Sequence, residues 1–136
     1  MKFINKQLAL KLKEKGFDKP CFGWYDTQIT DNNELYLNVK KGNYKDLLEY
    51  TNDFEWIIDA PTIEQVLEWL REEKDIDIVI YPIDRNTIFM GGEKYILAIY
   101  FCGKRDYKIH KDNNDKFVKW EDACIAGIEY VINNLI

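Results

Sequence analysis

The chain has 136 residues, of which 46 % are hydrophobic, enough to bury the core of one ordinary domain without disulfides or metal. Its net charge of −5 and pI near 5.0 argue against a general binder of nucleic acid or membrane surfaces, because both are polyanionic. The sequence has no serine and one histidine, His110. This excludes a serine triad, and any metal site that needs two imidazoles from one chain.

The cysteines and the N-terminus indicate the compartment. Cys21, Cys102 and Cys124 are far apart and odd in number, which is typical of reduced, buried thiols in a cytosolic protein. Lysines interrupt MKFINKQLALKLKEKG where a signal peptide needs an unbroken apolar stretch, and no run approaches the length of a membrane span. We therefore expect a cytoplasmic protein.

The first half of the chain predicts a helix followed by two strands. The helix spans about residues 5–15, with Leu8 and Leu12 on one face and Gly16 placed to end it. CFGWYD and ELYLNVK predict the strands, and the polar DTQITDNN between them fits a hairpin loop. In the second strand the apolar Leu35, Leu37 and Val39 alternate with polar neighbours. YKDLLEYTNDFEWIID predicts a helical turn and then a short strand.

The segment APTIEQVLEWLREEKDIDIVIY changes its hydrophobic period halfway. Thr62 and Gln65 form a predicted capping box, followed by a helical stripe of Ile63, Val66, Leu67 and Leu70. From Asp75 the apolar residues recur at every second position, which predicts a strand that Pro82 ends or confines to a sheet edge.

The last third predicts strands and a closing helix. KYILAIYFC is apolar at nearly every position, as a central strand covered on both faces would be. TIFMGG before it and YKIH after the turn GKRD predict further short strands. The final helix spans about residues 120–134, with Gly127 indicating close backbone packing and the following residues on its buried stripe: Trp120, Cys124, Ile128, Val131 and Leu135.

These elements predict a single α+β domain over residues 1–136. Their order is α-β-β-(irregular)-α-β-β-β-α, and the hairpin-like connections predict a mostly antiparallel sheet of about 4–6 strands with helices packed on it.

Charge is distributed unevenly. Residues 1–19 carry six lysines against two acids, whereas residues 53–77 carry nine acids against Arg71 and Lys74. Such polarity can steer a partner or favour self-association, but solvated helix faces give the same pattern more often. The acids Glu68, Glu72, Glu73, Asp75 and Asp77 have no histidine at ligand spacing, and DNNDKF fails the calcium-loop pattern. We therefore predict no metal and no cofactor.

The candidate interaction surface is the basic hairpin GKRDYKIHK. Basic residues around an aromatic one can hold phosphates and stack a base, although exposed hairpins also carry lysine to protect a strand edge. Its candidate residues are Lys104, Arg105, Tyr107, Lys108, His110 and Lys111.

Two further patterns bear on ligands. From Thr62 onward the predicted order α-β-β-β-α resembles the double-stranded-RNA-binding domain, with Lys116 and Lys119 before the last helix, but the glycine-proline-histidine loop of that family is absent. The aromatic run FGWY, residues 22–25, could line a small-ligand pocket, but we expect its rings to fill the core, because large rings dominate the burial of a small domain.

Three stretches resemble a family of short phage and prophage proteins from gut bacteria: LKEKGFDKPCFGWYD, APTIEQVLEWLREEK and FVKWEDACIAGIEY. Lys119 stands where that family would place a small hydroxyl helix cap. The resemblance implies a small accessory protein of a mobile element inside a bacterial host, and it implies no catalytic residue.

The leading hypothesis is therefore a non-enzymatic accessory protein that binds another protein, with self-association as one form of that binding. The alternative is an RNA-binding or small-ligand (nucleotide-like) module that uses the 104–111 hairpin. An enzyme comes third, because His110, Cys21 and carboxylates could meet in space without any sign in the sequence.

Overall fold

The chain folds into helices and small antiparallel sheets in a computed structural model, which describes residues 2–27, 34–37, 57–83, 94–102 and 116–136. Within these residues there are three helices and two three-stranded sheets, which confirms the predicted α+β class and antiparallel pairing. The chain divides into two compact units, residues 1–65 and 66–136. One domain over residues 1–136 stays a prediction.

Helix α1, Lys6–Glu14, opens the first unit. The Asn5 side chain accepts a hydrogen bond from the Leu8 backbone N–H at 2.8 Å, which satisfies one of the free donors at the helix start. Gly16 follows the helix with φ of +92°, a left-handed conformation that glycine adopts without steric penalty. The helix predicted over residues 5–15 is therefore confirmed, with Leu8 and Leu12 buried.

The first sheet has the strand order β2-β1-β3. Strands β1, β2 and β3 are Gly23–Asp26, Tyr36–Leu37 and Ile57–Ala60, and both pairings are antiparallel. The Tyr25 hydroxyl donates a hydrogen bond to the Ile4 carbonyl at 2.6 Å, and the Ile4 N–H donates to the Pro61 carbonyl at 3.0 Å. These two bonds hold the N-terminal segment against the sheet.

One apolar residue of this sheet does not lie where alternation predicts. Leu37 is 53 % exposed, although the pattern placed it on the buried face of its strand. Its partner across β1 is Gly23, which has no side chain to cover it. The prediction for Leu37 was wrong for that reason.

Helix α2, Ile63–Lys74, crosses the boundary between the units. The predicted capping box is confirmed: the Gln65 side-chain oxygen accepts from the Thr62 N–H at 3.0 Å, and the Thr62 hydroxyl accepts from the Gln65 N–H at 3.3 Å. Ile63, Val66 and Leu70 are fully buried, as the helical stripe predicts.

The second sheet has the strand order β4-β5-β6, with β4 Ile76–Pro82, β5 Tyr95–Phe101 and β6 Lys116–Phe117. Strand β5 is central, as predicted. The consecutive residues Leu97, Ala98 and Ile99 are all buried, so both faces of this strand are covered. Strand β4 ends at Pro82 and forms an edge of the sheet in the described part of the chain, which agrees with the prediction for that proline.

Helix α3, Trp120–Asn134, packs on this second sheet. A Cβ added at Gly127 would lie 2.8 Å from Ile78 Cγ2 and 2.9 Å from Leu97 Cδ1, so the predicted close packing at this glycine is confirmed. Lys119 is the N-cap residue, and its side chain makes no cap hydrogen bond. This agrees with the expectation that a hydroxyl cap is missing there.

Other predicted elements fall outside the described residues. These are the strand in TIFMGG, the turn GKRD, the strand YKIH, most of the DTQITDNN loop and the helical turn before residue 57. Strand β6 is an element that the sequence did not predict.

Candidate functional site

The basic hairpin that the sequence singles out lies outside the described residues. This holds for Lys104, Arg105, Tyr107, Lys108, His110 and Lys111, so a site there stays a prediction. The neighbouring Lys116 and Lys119 are described, and both are exposed. Exposed lysines alone do not make a nucleic-acid site, and Glu121 and Asp122 follow them at once.

The acidic segment at the end of α2 carries exposed carboxylates and one ion pair. Glu68, Glu72 and Glu73 are exposed, and Asp77 instead meets the Arg71 guanidinium, whose Nη2 lies 3.3 Å from Asp77 Oδ1. Over the described ranges, no three His, Cys, Asp or Glu side chains are placed to hold one ion. The segment therefore presents negative charge to solvent.

The backbone of β4 is oriented by its ladder with β5. The Cys102 N–H donates to the Asp75 carbonyl at 2.7 Å, and the Ile83 N–H donates to the Lys94 carbonyl at 2.8 Å. Both bonds continue the β4–β5 register. Because hydrogen-bonded and non-hydrogen-bonded pairs alternate in an antiparallel ladder, the odd-numbered residues of β4 bond to β5. Its even-numbered residues direct their N–H and C=O groups away from β5.

Among the described residues, no other strand pairs with the outer edge of β4. Ile76, Ile78 and Ile80 each present an N–H and a C=O there, and no hydrogen bond reaches these groups from the part of the chain that the structure describes. Pro82 presents only a C=O, since proline has no N–H. Ile76 and Ile78 are only 2 % and 6 % exposed, so the accessible part of this edge is its C-terminal end, at the half-buried Ile80 and the exposed Pro82.

A cavity of about 740 Å³ lies in the second unit. Residues 77–81 of β4 line it, together with residues 100–102 at the end of β5, Leu67 and Arg71 of α2, and Trp120 of α3. The cavity therefore spans both strands and is not confined to the outer edge of β4. The volume falls within the usual range of ligand pockets.

Two tyrosines lie at the mouth of the same cavity. The hydroxyls of Tyr81 and Tyr100 are 3.5 Å apart, and both side chains contribute to the lining. The hydrogen bond with Tyr81 is the main cause of the raised pKa of Tyr100. The Tyr100 phenol therefore stays neutral at physiological pH, and its hydroxyl can donate or accept a hydrogen bond.

The first unit holds a buried thiol that is unsuited to nucleophilic chemistry. Burial, and then the nearby Asp59, raise the pKa of Cys21 far above its usual range. Burial also raises the pKa of Asp59, and Lys13 opposes that shift. A thiol is a nucleophile only as the thiolate, so Cys21 is inert at neutral pH.

The aromatic run FGWY is divided between core and surface. Tyr25 is buried, which confirms core filling there, and Trp24 stacks on Tyr36 with ring centroids 4.4 Å apart. Phe22 is 50 % exposed, so the prediction that it fills the core was wrong. Phe22 directly precedes β1, so it is not among the residues that pair with β2 or β3.

Comparisons with known proteins give no family for the chain. No family model matches it, and neither the curated proteins nor the solved structures contain a match. Across the described residues, no helix combines the length and apolar character that a membrane crossing requires.

Sequence reasoning missed the β4 edge as a site, although it found the strand. The signal was present in the IDIVIYP pattern, which predicted a strand that Pro82 confines to an edge. The pattern could not show which backbone groups face outward, because that depends on the register with β5.

Proposed function

We propose that this protein binds another protein by accepting an extended segment of it along the open edge of β4. The observation that carries the proposal is the accessible C-terminal end of this edge, where Ile80 directs an N–H and a C=O away from β5 and Pro82 a C=O. Main-chain hydrogen bonds to a sheet edge provide affinity, and neighbouring pockets for alternate side chains provide specificity.

The edge differs from the protected edges of most soluble proteins. Natural sheets cover edges or place lysine, proline and inward-pointing charge on them, because an open edge pairs with other chains. In β4 the proline stands at the end of the strand, and the outward groups before it belong to isoleucines. An edge of this kind is suited to receive a strand from a partner.

The reactive side chains of the described residues favour a binding function over a catalytic one. In the described residues the reactive groups are separated: Cys21 has a raised pKa, and the acidic segment stays solvated. The resemblance to short phage and prophage proteins supplies the context that we propose, an accessory protein of a mobile element in the cytoplasm of a bacterial host.

The first experiment selects peptides and maps where they bind. Random peptides displayed on phage would be selected for binding to the whole protein. The affinity of the selected peptides would then be measured by calorimetry. Hydrogen–deuterium exchange should then show protection of the Ile80 amide, which is the accessible donor at the edge. Peptides that leave this amide unprotected would refute the proposal.

A pair of proline variants provides the matched control. Ile80→Pro removes an outward N–H and leaves the β4–β5 ladder intact, so the variant should fold and bind at least about tenfold more weakly, since it loses an edge hydrogen bond. Val79→Pro removes an N–H that bonds to β5, so it should lower the stability of the fold instead. Equal peptide affinity for wild type and a folded Ile80→Pro would contradict edge binding.

The alternative function is RNA or nucleotide binding through the 104–111 hairpin. The observation that favours it is the second unit's order α2-β4-β5-β6-α3, the order that the sequence likens to the double-stranded-RNA-binding domain. Wild type should then retain duplex RNA at low salt, and glutamate at Lys104, Arg105 and Lys108 should abolish retention. Absence of retention by wild type at low salt would dismiss the RNA version. Thermal-shift screening against nucleotides tests the small-ligand version.

A further inference from the structure

We infer that the cavity of the second unit binds an uncharged nitrogen heterocycle, a flat ring of the adenine class that carries a hydrogen-bond donor beside an acceptor. Binding there does not depend on the pairing of a peptide with β4. Three features of the lining support this ligand: its accessibility, its aromatic side chains and two polar groups with unused hydrogen-bonding capacity.

The sheet face that carries Asp77 and Tyr100 is accessible. These two residues are partners across β4 and β5, so their side chains lie on the same face. Val79 and Tyr81 follow on that face at every second position of β4. All four residues line the cavity, and Tyr81 is 44 % exposed while the other three are half-buried. A ligand therefore reaches this surface without any opening of the fold.

Aromatic rings contribute four of the lining side chains, those of Tyr81, Tyr100, Phe101 and Trp120. Phe101 is 38 % exposed, so its ring, like that of Tyr81, retains apolar surface that a ligand can cover. Flat heterocycles bind to such rings by stacking. The cavity volume of about 740 Å³ also suits a heterocycle that carries a sugar.

Arg71 and Asp77 form an ion pair that leaves atoms of both side chains available. Nε and Nη2 of Arg71 both lie 3.3 Å from the same oxygen, Asp77 Oδ1. Within the described ranges, no hydrogen bond reaches Asp77 Oδ2, and none leaves Arg71 Nη1. The ion pair thus presents an acceptor beside a donor. Adenine is complementary to it, because its amino group donates and a neighbouring ring nitrogen accepts.

The charge of the lining disfavours a phosphate. Among the described residues that line the cavity, Arg71 and Asp77 alone are charged, and their charges cancel. The hydrogen bond with Tyr81 is the main cause of the raised pKa of Tyr100, so the Tyr100 phenol adds no charge at neutral pH. An anion would lose hydration in this cavity without meeting a net positive charge. The site therefore differs in chemistry from the basic 104–111 hairpin.

The test compares three ligands that differ by one group. They are adenosine, purine riboside, which lacks the amino group, and adenosine monophosphate, which adds a phosphate. Affinity for the full chain would be measured by calorimetry. Adenosine should bind at least about tenfold more tightly than purine riboside, because purine riboside cannot donate a hydrogen bond to the charged Asp77. Adenosine monophosphate should bind no more tightly than adenosine.

An asparagine variant tests the role of the ion pair. Asp77→Asn removes the negative charge and leaves Arg71 unpaired, so adenosine should bind more weakly and adenosine monophosphate more tightly than they bind to wild type. Asp18→Asn, at an exposed position of the first unit, changes the net charge equally and should alter neither affinity. Thermal unfolding of both variants would show that the fold is retained.

Two outcomes would overturn the inference. One is that wild type fails to bind adenosine, or binds adenosine and purine riboside equally. The other is that wild type binds adenosine monophosphate more tightly than adenosine, and loss of that binding with glutamate at Lys104, Arg105 and Lys108 would assign it to the hairpin. Neither outcome affects the peptide proposal, which amide protection at Ile80 tests separately.

Discussion

Gly127 of helix α3 offers a direct test of how closely the helix approaches the second sheet. Gly127→Ala adds one methyl group at a buried position within the helix. The added Cβ would lie 2.8 Å and 3.3 Å from Cγ2 and Cδ1 of Ile78 and 2.9 Å from Cδ1 of Leu97. Two of these distances are shorter than any normal carbon–carbon contact, so neighbouring atoms have to move.

Two opposing effects set the magnitude. Alanine is favoured over glycine within a helix by about 1 kcal/mol. Overpacking a well-filled core costs about 1–3 kcal/mol, and Ile78 is β-branched and therefore stiff at χ1. The expected net effect of Gly127→Ala is a loss of about 1 kcal/mol in the free energy of unfolding, which lowers Tm by roughly 3–5 °C.

A double-mutant cycle with Ile78→Ala distinguishes crowding from helix propensity. Ile78→Ala alone should cost about 2–5 kcal/mol through the cavity it leaves. In that background the two contacts with Ile78 are gone, and the flexible end of Leu97 can shift into the vacated space. Gly127→Ala should then become stabilising by up to about 1 kcal/mol.

Urea denaturation followed by circular dichroism gives the four stabilities of the cycle. The effect of Gly127→Ala should change sign between the two backgrounds. If Gly127→Ala stabilises the wild type by about 1 kcal/mol, or has the same effect in both backgrounds, the helix does not approach the sheet as described.

Three further predictions concern the capping box, a carboxylate and the cysteines. Thr62→Ala should lower stability by about 1 kcal/mol in urea denaturation, because the Gln65 N–H loses its acceptor, whereas Thr62→Ser should change it little. Burial raises the pKa of Asp59, so its charged form destabilises the native state and stability falls as pH rises from the unfolded value of about 3.9. Asp59→Asn should therefore raise Tm at pH 7, and the gain should disappear as the pH falls to about 3.5. Iodoacetamide should label Cys102 before the buried Cys21 in native protein, and mass spectrometry showing the reverse order would contradict the burial of Cys21.

Local features of this fold could be predicted from sequence because neighbouring residues determine them. The capping box of Thr62 and Gln65 depends on a three-residue spacing, and the helix at residues 120–134 on a sustained 3.6-residue period. Both are confirmed.

The features that could not be predicted depend on distant partners. Leu37 is exposed because Gly23 lies opposite it, and the split into two sheets depends on which strands pair. Strand β6 contains only two residues, too few for a period to be visible. The candidate site was missed for the same reason. The strand that contains Ile78 was predicted, but which of its backbone groups face outward depends on its pairing with β5, and the sequence of β4 alone does not determine that pairing.

The outer edge of β4, with which no described strand pairs, also has a consequence for the protein when no partner is present. Its sequence IDIVIYP is rich in β-branched residues, and an edge of this type is a template for fibrils. Mutual repulsion at a net charge of −5 keeps molecules dispersed at neutral pH, and that repulsion vanishes near the pI of 5.0. Storage at acidic pH should therefore promote aggregation through this strand. A partner bound along the edge should reduce that aggregation.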